Sequence, residues 1–227
     1  VTARIGFGTA ALGRSLSRGE RVRVLETALD CGLTHFDTAP LYGVGAAEKA
    51  LAALPRDEIT IATKAGYRPP SVARSAVAKL VRRPARAVGG LFAPAAVRAS
   101  LEGSLRRLGT SHVDFFLLHD VTARDVDDAL LAELEAIVQR GEARLTGVAT
   151  SWERAEPLLT SGFPAVVQAA DAPPLPGRTV VLHSLIAGRD GAPGSLLREA
   201  AERRPDALLL FGSRDPRHVR ETASAVL

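Results

Sequence analysis

Four side chains between residues 37 and 119 have types and spacing suited to moving a proton. Asp37 and Tyr42 share the run Leu33-Thr34-His35-Phe36-Asp37-Thr38-Ala39-Pro40-Leu41-Tyr42-Gly43, a short apolar strand that breaks into a turn. Lys64 follows the strand-like residues 59–63, and His119 follows the almost wholly apolar residues 113–118. A free phenol has a pKa of ~10 and exchanges protons poorly near neutrality. An adjacent ammonium favours the phenolate and lowers that pKa. A carboxylate paired with the lysine would hold the ammonium in place, and a histidine could direct a substrate oxygen toward the phenol. Together these groups make a general acid/base able to protonate a carbonyl oxygen or deprotonate an alcohol.

Taken singly, each residue has an ordinary reading. Asp37 suits a turn, Tyr42 a half-buried packing position, Lys64 a solvated surface, and His119 with Asp120 a helix-entry turn. Their coincidence at the tips of three consecutive strand candidates favours the catalytic reading, because the C-terminal rim of a β/α barrel is its functional face. No nucleophile is paired with a base, and no H-E-x-x-H or other metal-ligand spacing occurs.

The elements that must position these groups alternate between strand-like and helix-like. Strands are expected at 5–8, 33–36, 59–63, 113–118, 145–149, 165–168, 179–182 and 207–211. Helices are expected at 19–31, 46–54, from Pro94 to a stop at Gly109, and at 125–140, 152–160, 194–203 and 215–226. Residues 65–93 break the rhythm with Pro69-Pro70, Pro84 and Gly89-Gly90. Between strands six and seven stands Asp171-Ala172-Pro173-Pro174-Leu175-Pro176-Gly177, where no full helix fits. The pattern predicts a small α/β (β/α)8 TIM barrel over residues 1–227 as a single domain, with a helix missing after strand six. A doubly wound sheet has the same rhythm, but no G-x-G-x-x-G follows the first strand and no Walker A sequence is present.

At these residues the chain resembles the aldo-keto reductases. Phe36-Asp37-Thr38-Ala39-Pro40-Leu41-Tyr42-Gly43 with Glu48 is similar to that family's first signature. Residues 97–108, running into Val113-Asp114 and Leu117-Leu118-His119, are similar to its second, and Gly6-Phe7-Gly8-Thr9 matches its opening strand. The resemblance covers residues 4 to about 168 and loosens afterward. It implies a barrel that binds NADPH without a Rossmann domain and passes hydride from nicotinamide C4 to a carbonyl carbon. Tyr42 would donate the proton, Lys64 and Asp37 would lower its pKa, and His119 would orient the carbonyl. The resemblance further implies cofactor contacts at Thr150, Ser151 and Gln168 for the carboxamide. His183 would lie beside the nicotinamide, and Gly212, Ser213, Arg214, His218 and Glu221 around the adenosine phosphate. Thr150-Ser151 replaces the family's Ser-Asn, His183 stands where the family has an aromatic stacker, and Glu221-Thr222 replaces Glu-Asn. Arg214 would pair with a 2′-phosphate and so favour NADPH over NADH.

The bulk composition agrees with a globular enzyme. Of the 227 residues, 46% are hydrophobic and 24% charged, enough apolar material for one core. The formal charge of +4 reflects arginines interspersed with acids on helix-like segments, and the one basic run without acids, Lys79 to Arg86, carries no interleaved aromatics. Nucleic-acid binding is therefore not expected, and the resemblance implies a small-molecule carbonyl substrate as the partner. Cys31 is the only cysteine, so an internal disulfide and a cysteine-rich metal cluster are excluded. No run is long enough to span a membrane and no signal peptide is evident, which makes a cytoplasmic location the expectation. Two further readings compete with the reductase. One is a nucleotide-sensing regulatory subunit, and the other a barrel lyase or isomerase that has lost cofactor binding.

Overall fold

The computed structural model describes residues 4–13, 16–67, 90–160 and 162–227. Eight parallel strands close in chain order into a barrel. They are β1 (Arg4–Gly8), β2 (His35–Asp37), β3 (Thr60–Ala65), β4 (Val113–His119), β5 (Ala143–Ala149), β6 (Val166–Ala169), β7 (Thr179–Leu182) and β8 (Leu208–Phe211), with β8 pairing back onto β1. Outside lie α1 (Arg18–Asp30), α2 (Ala46–Leu51), α3 (Pro94–Leu108), α4 (Asp128–Gln139), the single turn α5 (Trp152–Ala155), α6 (Pro193–Arg203) and α7 (Pro216–Ser224). No helix joins β6 to β7, in agreement with the proline-rich link. The basic run Lys79 to Arg86 lies outside the described residues.

Strand alternation sorts the side chains into an outer and an inner set. The outer set includes Phe7, Phe36, Ile61, Phe116, Leu118 and Phe211, which pack with Val24, Leu25, Val97 and Leu101 of the helices in the main core. Phe7 stands edge-on to Phe36 and Phe211 at ring separations of 6.2 and 5.7 Å. Each such buried aromatic contributes about 1.5–3 kcal/mol. The inner set forms a smaller apolar cluster of Leu117, Ala149, Val166, Val181, Leu208 and Leu210, with Phe115 and Leu145 against it. Two residues further along β3, β4 and β6 the inward series ends in Lys64, His119 and Gln168. The barrel thus has an apolar plug and, above it, a polar rim.

His35 is an exception within the plug. Strand alternation places it opposite to Phe36, and the sequence reading left it as packing or surface. It is buried, its Nδ1 lies 2.8 Å from Thr60 Oγ1, and its ring tilts against Phe115. Room for it comes from Gly6, where a Cβ would sit 3.0 Å from the His35 ring and 2.9 Å from Leu210.

Capping explains most element boundaries. Ser17 and Glu20 form a reciprocal box at the start of α1. Pro94 begins α3, and Gly109 ends it in the left-handed conformation that a residue without Cβ adopts freely. Several boundaries differ from expectation, among them the helix expected at 152–160, which ends at Ala155 and passes into a 3-10 turn over Glu156–Leu158. Three others have a clear local cause. β2 starts at His35, because the Leu33 amide donates to Ala28 O and finishes α1. α2 stops at Leu51, ahead of a turn and Pro55. α4 begins at Asp128, because Asp127 caps it by accepting from the Leu130 amide at 2.8 Å.

Candidate active site

Parallel register sets the rim. Asp37 on β2 lies beside Ala62 on β3, so Lys64 stands one inward step higher on the neighbouring strand. Lys64 Nζ reaches back to Asp37 Oδ1 at 2.5 Å and to the Thr38 carbonyl at 3.0 Å. Both side chains are almost wholly buried, at 2% and 5% exposure. Burial alone would lower the lysine pKa, but the charges of Asp37 and Tyr42 and the bonds they make outweigh it and hold Lys64 above its ordinary range. The ammonium therefore persists through the neutral range.

Tyr42 enters from the turn after β2. Its amide donates to Ala39 O at 3.0 Å, and Gly43, Val44 and Gly45 follow with positive φ. This turn is pressed against the loop after β1, where a Cβ on Gly13 would sit 2.6 Å from the Gly43 nitrogen. Lys64 Nζ lies 5.4 Å from the centre of the Tyr42 ring. The turn is tied from behind by Glu48, a fully buried carboxylate on α2. It accepts from Thr63 Oγ1 at 2.8 Å and from Arg107 Nε at 2.5 Å, and so links the Tyr42 segment to the residue preceding Lys64. Burial pushes the Tyr42 phenol above its usual range, and the nearby charge of Lys64 offsets this only in part. The expected lowering by Lys64 is thus present but smaller than the cost of burying a phenolate.

His119, the last residue of β4, is half-buried with its Nδ1 lacking a partner among the described residues. Burial first, then the Lys64 charge, pushes its pKa down to about 4, so the imidazole is neutral at pH 7. Tyr67 packs edge-on to His119 at 5.1 Å and donates its hydroxyl to Asp120 Oδ2 at 2.6 Å. From the sequence, Tyr67 suits either a wall of a substrate pocket or a loop anchor, and Asp120 has no role of its own.

These groups open onto a cleft of about 1200 Å³ whose lining includes Asp37, Tyr42, Lys64, His119, Thr150, Ser151, Gln168 and His183. It continues past Ala187 and Ser195, which sequence reasoning missed, to Gly212, Ser213, His218, Glu221 and Thr222. The expected cofactor positions thus share one cleft, with one departure. Arg214 is exposed and lines a separate depression of about 340 Å³ with Glu20, Arg23 and Asp215. Within the cleft, Thr150 Oγ1 and Gln168 Oε1 are buried without partners among the described residues. A donor and an acceptor left unpaired at adjacent strand tips fit an amide-bearing ligand. His183 is half-buried and bonded to Ser184 through Nδ1 at 2.9 Å, and burial lowers its pKa. Trp152 and Phe92 pack into the core. Among the described residues no cluster of metal-ligating side chains forms, and no helix is long and apolar enough to cross a membrane.

A closed parallel barrel with a Tyr, Lys, Asp and His at its C-terminal rim defines the class, and the comparisons give the family. Residues 4–180 match the aldo/keto reductase family, and the chain belongs to it. It is 34% identical over 172 residues to D-threo-aldose 1-dehydrogenase of a Pseudomonas species, a match covering 63% of this chain and 49% of that protein. The chain spans about half the length of the curated relatives it matches. Among solved structures, the holo form of an aldo-keto reductase from Bacillus halodurans superposes with a TM-score of 0.77 at 20% identity, covering 99% of this chain and 87% of the other. An aldo-keto reductase from Klebsiella pneumoniae in complex with NADPH gives a TM-score of 0.70 at 23% identity, covering 100% and 90%. At these identities the structural likeness speaks for the fold.

Proposed function

We propose that this chain is an NADPH-dependent carbonyl reductase in which Tyr42 gives the proton to the carbonyl oxygen. The observation that carries this reading is the convergence of Tyr42, the buried Lys64–Asp37 pair and neutral His119 on one cleft that also holds unpaired Thr150 and Gln168. The reduced nicotinamide would supply the hydride. Thr150, Ser151 and Gln168 would hold its carboxamide, His183 would border the ring, and Gly212, Ser213, His218 and Glu221 would line the far end of the cofactor. A role for Arg214 at a 2′-phosphate requires its side chain to reach across from the neighbouring depression.

Within the cleft, neutral His119 would donate a hydrogen bond to the substrate oxygen and fix it near Tyr42. The direction of the Tyr42 shift favours reduction, since a buried phenol stays protonated at neutral pH and is ready to donate. Lys64 would stabilise the phenolate left behind. Oxidation of an alcohol would need that phenolate beforehand and would therefore gain at alkaline pH.

Fluorescence titration with NADPH, followed by NADPH absorbance during turnover of a panel of aldehydes, tests this. Saturable binding with turnover supports the reductase. Binding without turnover would favour a nucleotide-sensing subunit. No binding up to millimolar cofactor would favour a lyase or isomerase.

A further inference from the structure

Asp120 stands directly after His119 in a place the proton chemistry does not use. Its backbone is left-handed, with φ 57°, a conformation uncommon for a residue with a Cβ. That geometry is held by its amide, which donates to Ala149 O on β5 at 2.8 Å. The carboxylate is exposed and lines the cleft alongside Tyr42, His119 and His183. Oδ2 is occupied by the Tyr67 hydroxyl at 2.6 Å, and the Tyr67 ring is braced edge-on by His119. Oδ1 has no hydrogen-bond partner among the described residues. A surface carboxylate whose sole purpose was solvation would not need a phenol to orient it. The charge of Asp120 is also felt at Tyr42, His119 and His183, which places it within electrostatic reach of the reacting oxygen.

We propose that Asp120, oriented by Tyr67, is a hydroxyl-recognition subsite that selects carbonyl substrates bearing hydroxyl groups on the carbons next to the carbonyl. The inference rests on the carbonyl reductase reading above and adds the substrate class to it. An ionised carboxylate accepts hydrogen bonds and cannot donate them, so its free oxygen suits an alcohol O–H. The same charge repels a substrate carboxylate that would lie close to it. Short polyhydroxylated aldehydes and ketones fit both conditions. Simple alkanals lack the donor, and oxo-acids carry the wrong charge.

The test compares kcat/KM for glyceraldehyde, propanal and 4-oxobutanoate with NADPH, in the parent chain, Asp120→Asn and Tyr67→Phe. Asparagine tolerates the left-handed backbone and can still accept from Tyr67, but it removes the charge and puts an N–H donor where the free oxygen stood. A hydrogen bond to a charged group changes affinity by roughly tenfold or more. The parent should prefer glyceraldehyde over propanal, and Asp120→Asn should cut that ratio about tenfold while raising 4-oxobutanoate relative to propanal. Tyr67→Phe should move the glyceraldehyde ratio the same way by a smaller factor, since the carboxylate remains but is less well oriented. Both ratios staying within twofold of the parent in Asp120→Asn overturns the subsite and leaves the reductase reading standing. A parent chain that turns over none of the three aldehydes overturns both.

Discussion

Replacing Lys64 with methionine separates the structural and chemical roles of a charge buried at the barrel rim. Methionine keeps most of the hydrocarbon length and removes the ammonium. Lys64 makes one bond to Asp37 Oδ1 at 2.5 Å and one to Thr38 O at 3.0 Å, with both side chains out of solvent. Each hydrogen bond to a charged group contributes about 1.5–3 kcal/mol. Breaking a buried pair from one side costs about 3–5 kcal/mol, since Asp37 is left charged and uncompensated. Lys64→Met should therefore lose a few kcal/mol in urea unfolding. The double variant Asp37→Leu with Lys64→Met should recover much of that loss, because no buried charge remains. Both variants should be inactive in the NADPH assay, since both leave Tyr42 without its cation. The lysine pKa is raised in the folded state, so the contribution of the pair is complete below the pKa of a free lysine and declines only as pH rises through the higher folded value. Unfolding at pH 7 thus reads the full effect. A loss below about 1 kcal/mol in Lys64→Met would refute the reasoning, because a pair worth so little behaves as a solvated surface bridge.

Tyr42→Phe should reduce kcat by orders of magnitude while cofactor affinity by fluorescence titration stays nearly constant, since it deletes an acid and no proposed nucleotide contact. Retained activity would remove Tyr42 from the mechanism. Glu48→Gln should cost about 2 kcal/mol in urea unfolding, because the buried carboxylate loses its charge-assisted bond from Arg107. It should also lower kcat, because the Tyr42 turn loses its tie to β3. His35, held down to a pKa of about 4 by burial, is neutral in the barrel plug. An unfolded chain binds that proton from pH 6.5 downward, so stability is complete above pH 6.5 and falls by up to ~3 kcal/mol as pH approaches 4. His35→Gln should flatten that decline, and an unchanged pH profile would assign it to other groups.

The strands and the meeting of the four candidate residues at one rim were legible because both are written locally. A strand of a parallel barrel is buried on both faces and reads as an apolar run, and its tip reads as a polar residue at the end of that run. Residues 113–119 show this directly, with Val113 to Leu118 apolar except for Asp114, and with His119 closing β4. What stayed hidden depends on partners far along the chain or on a bend only coordinates reveal. Arg107 reads as one charge on a mixed helix face, yet it neutralises Glu48 from the opposite side of the Tyr42 turn. Asp120 reads as helix-entry chemistry, and its left-handed backbone arises from a bond to β5. Arg214 was expected in the cofactor cleft by position alone. The Asp215 amide donates to Ser213 Oγ at 3.1 Å, and the Asp215 carboxylate caps α7 through the Arg217 amide at 2.9 Å. Within that bend Ser213 lines the cleft while Arg214 is exposed beside Arg23. The Tyr42 phenol makes the same point about energy. A neighbouring lysine predicts a lowered pKa, but burial acts through every group that excludes water around the ring, and no sequence spacing encodes that sum. The net upward shift makes the resting protein a proton donor, and it ties the direction of the proposed reaction to how completely the cleft excludes water from one hydroxyl.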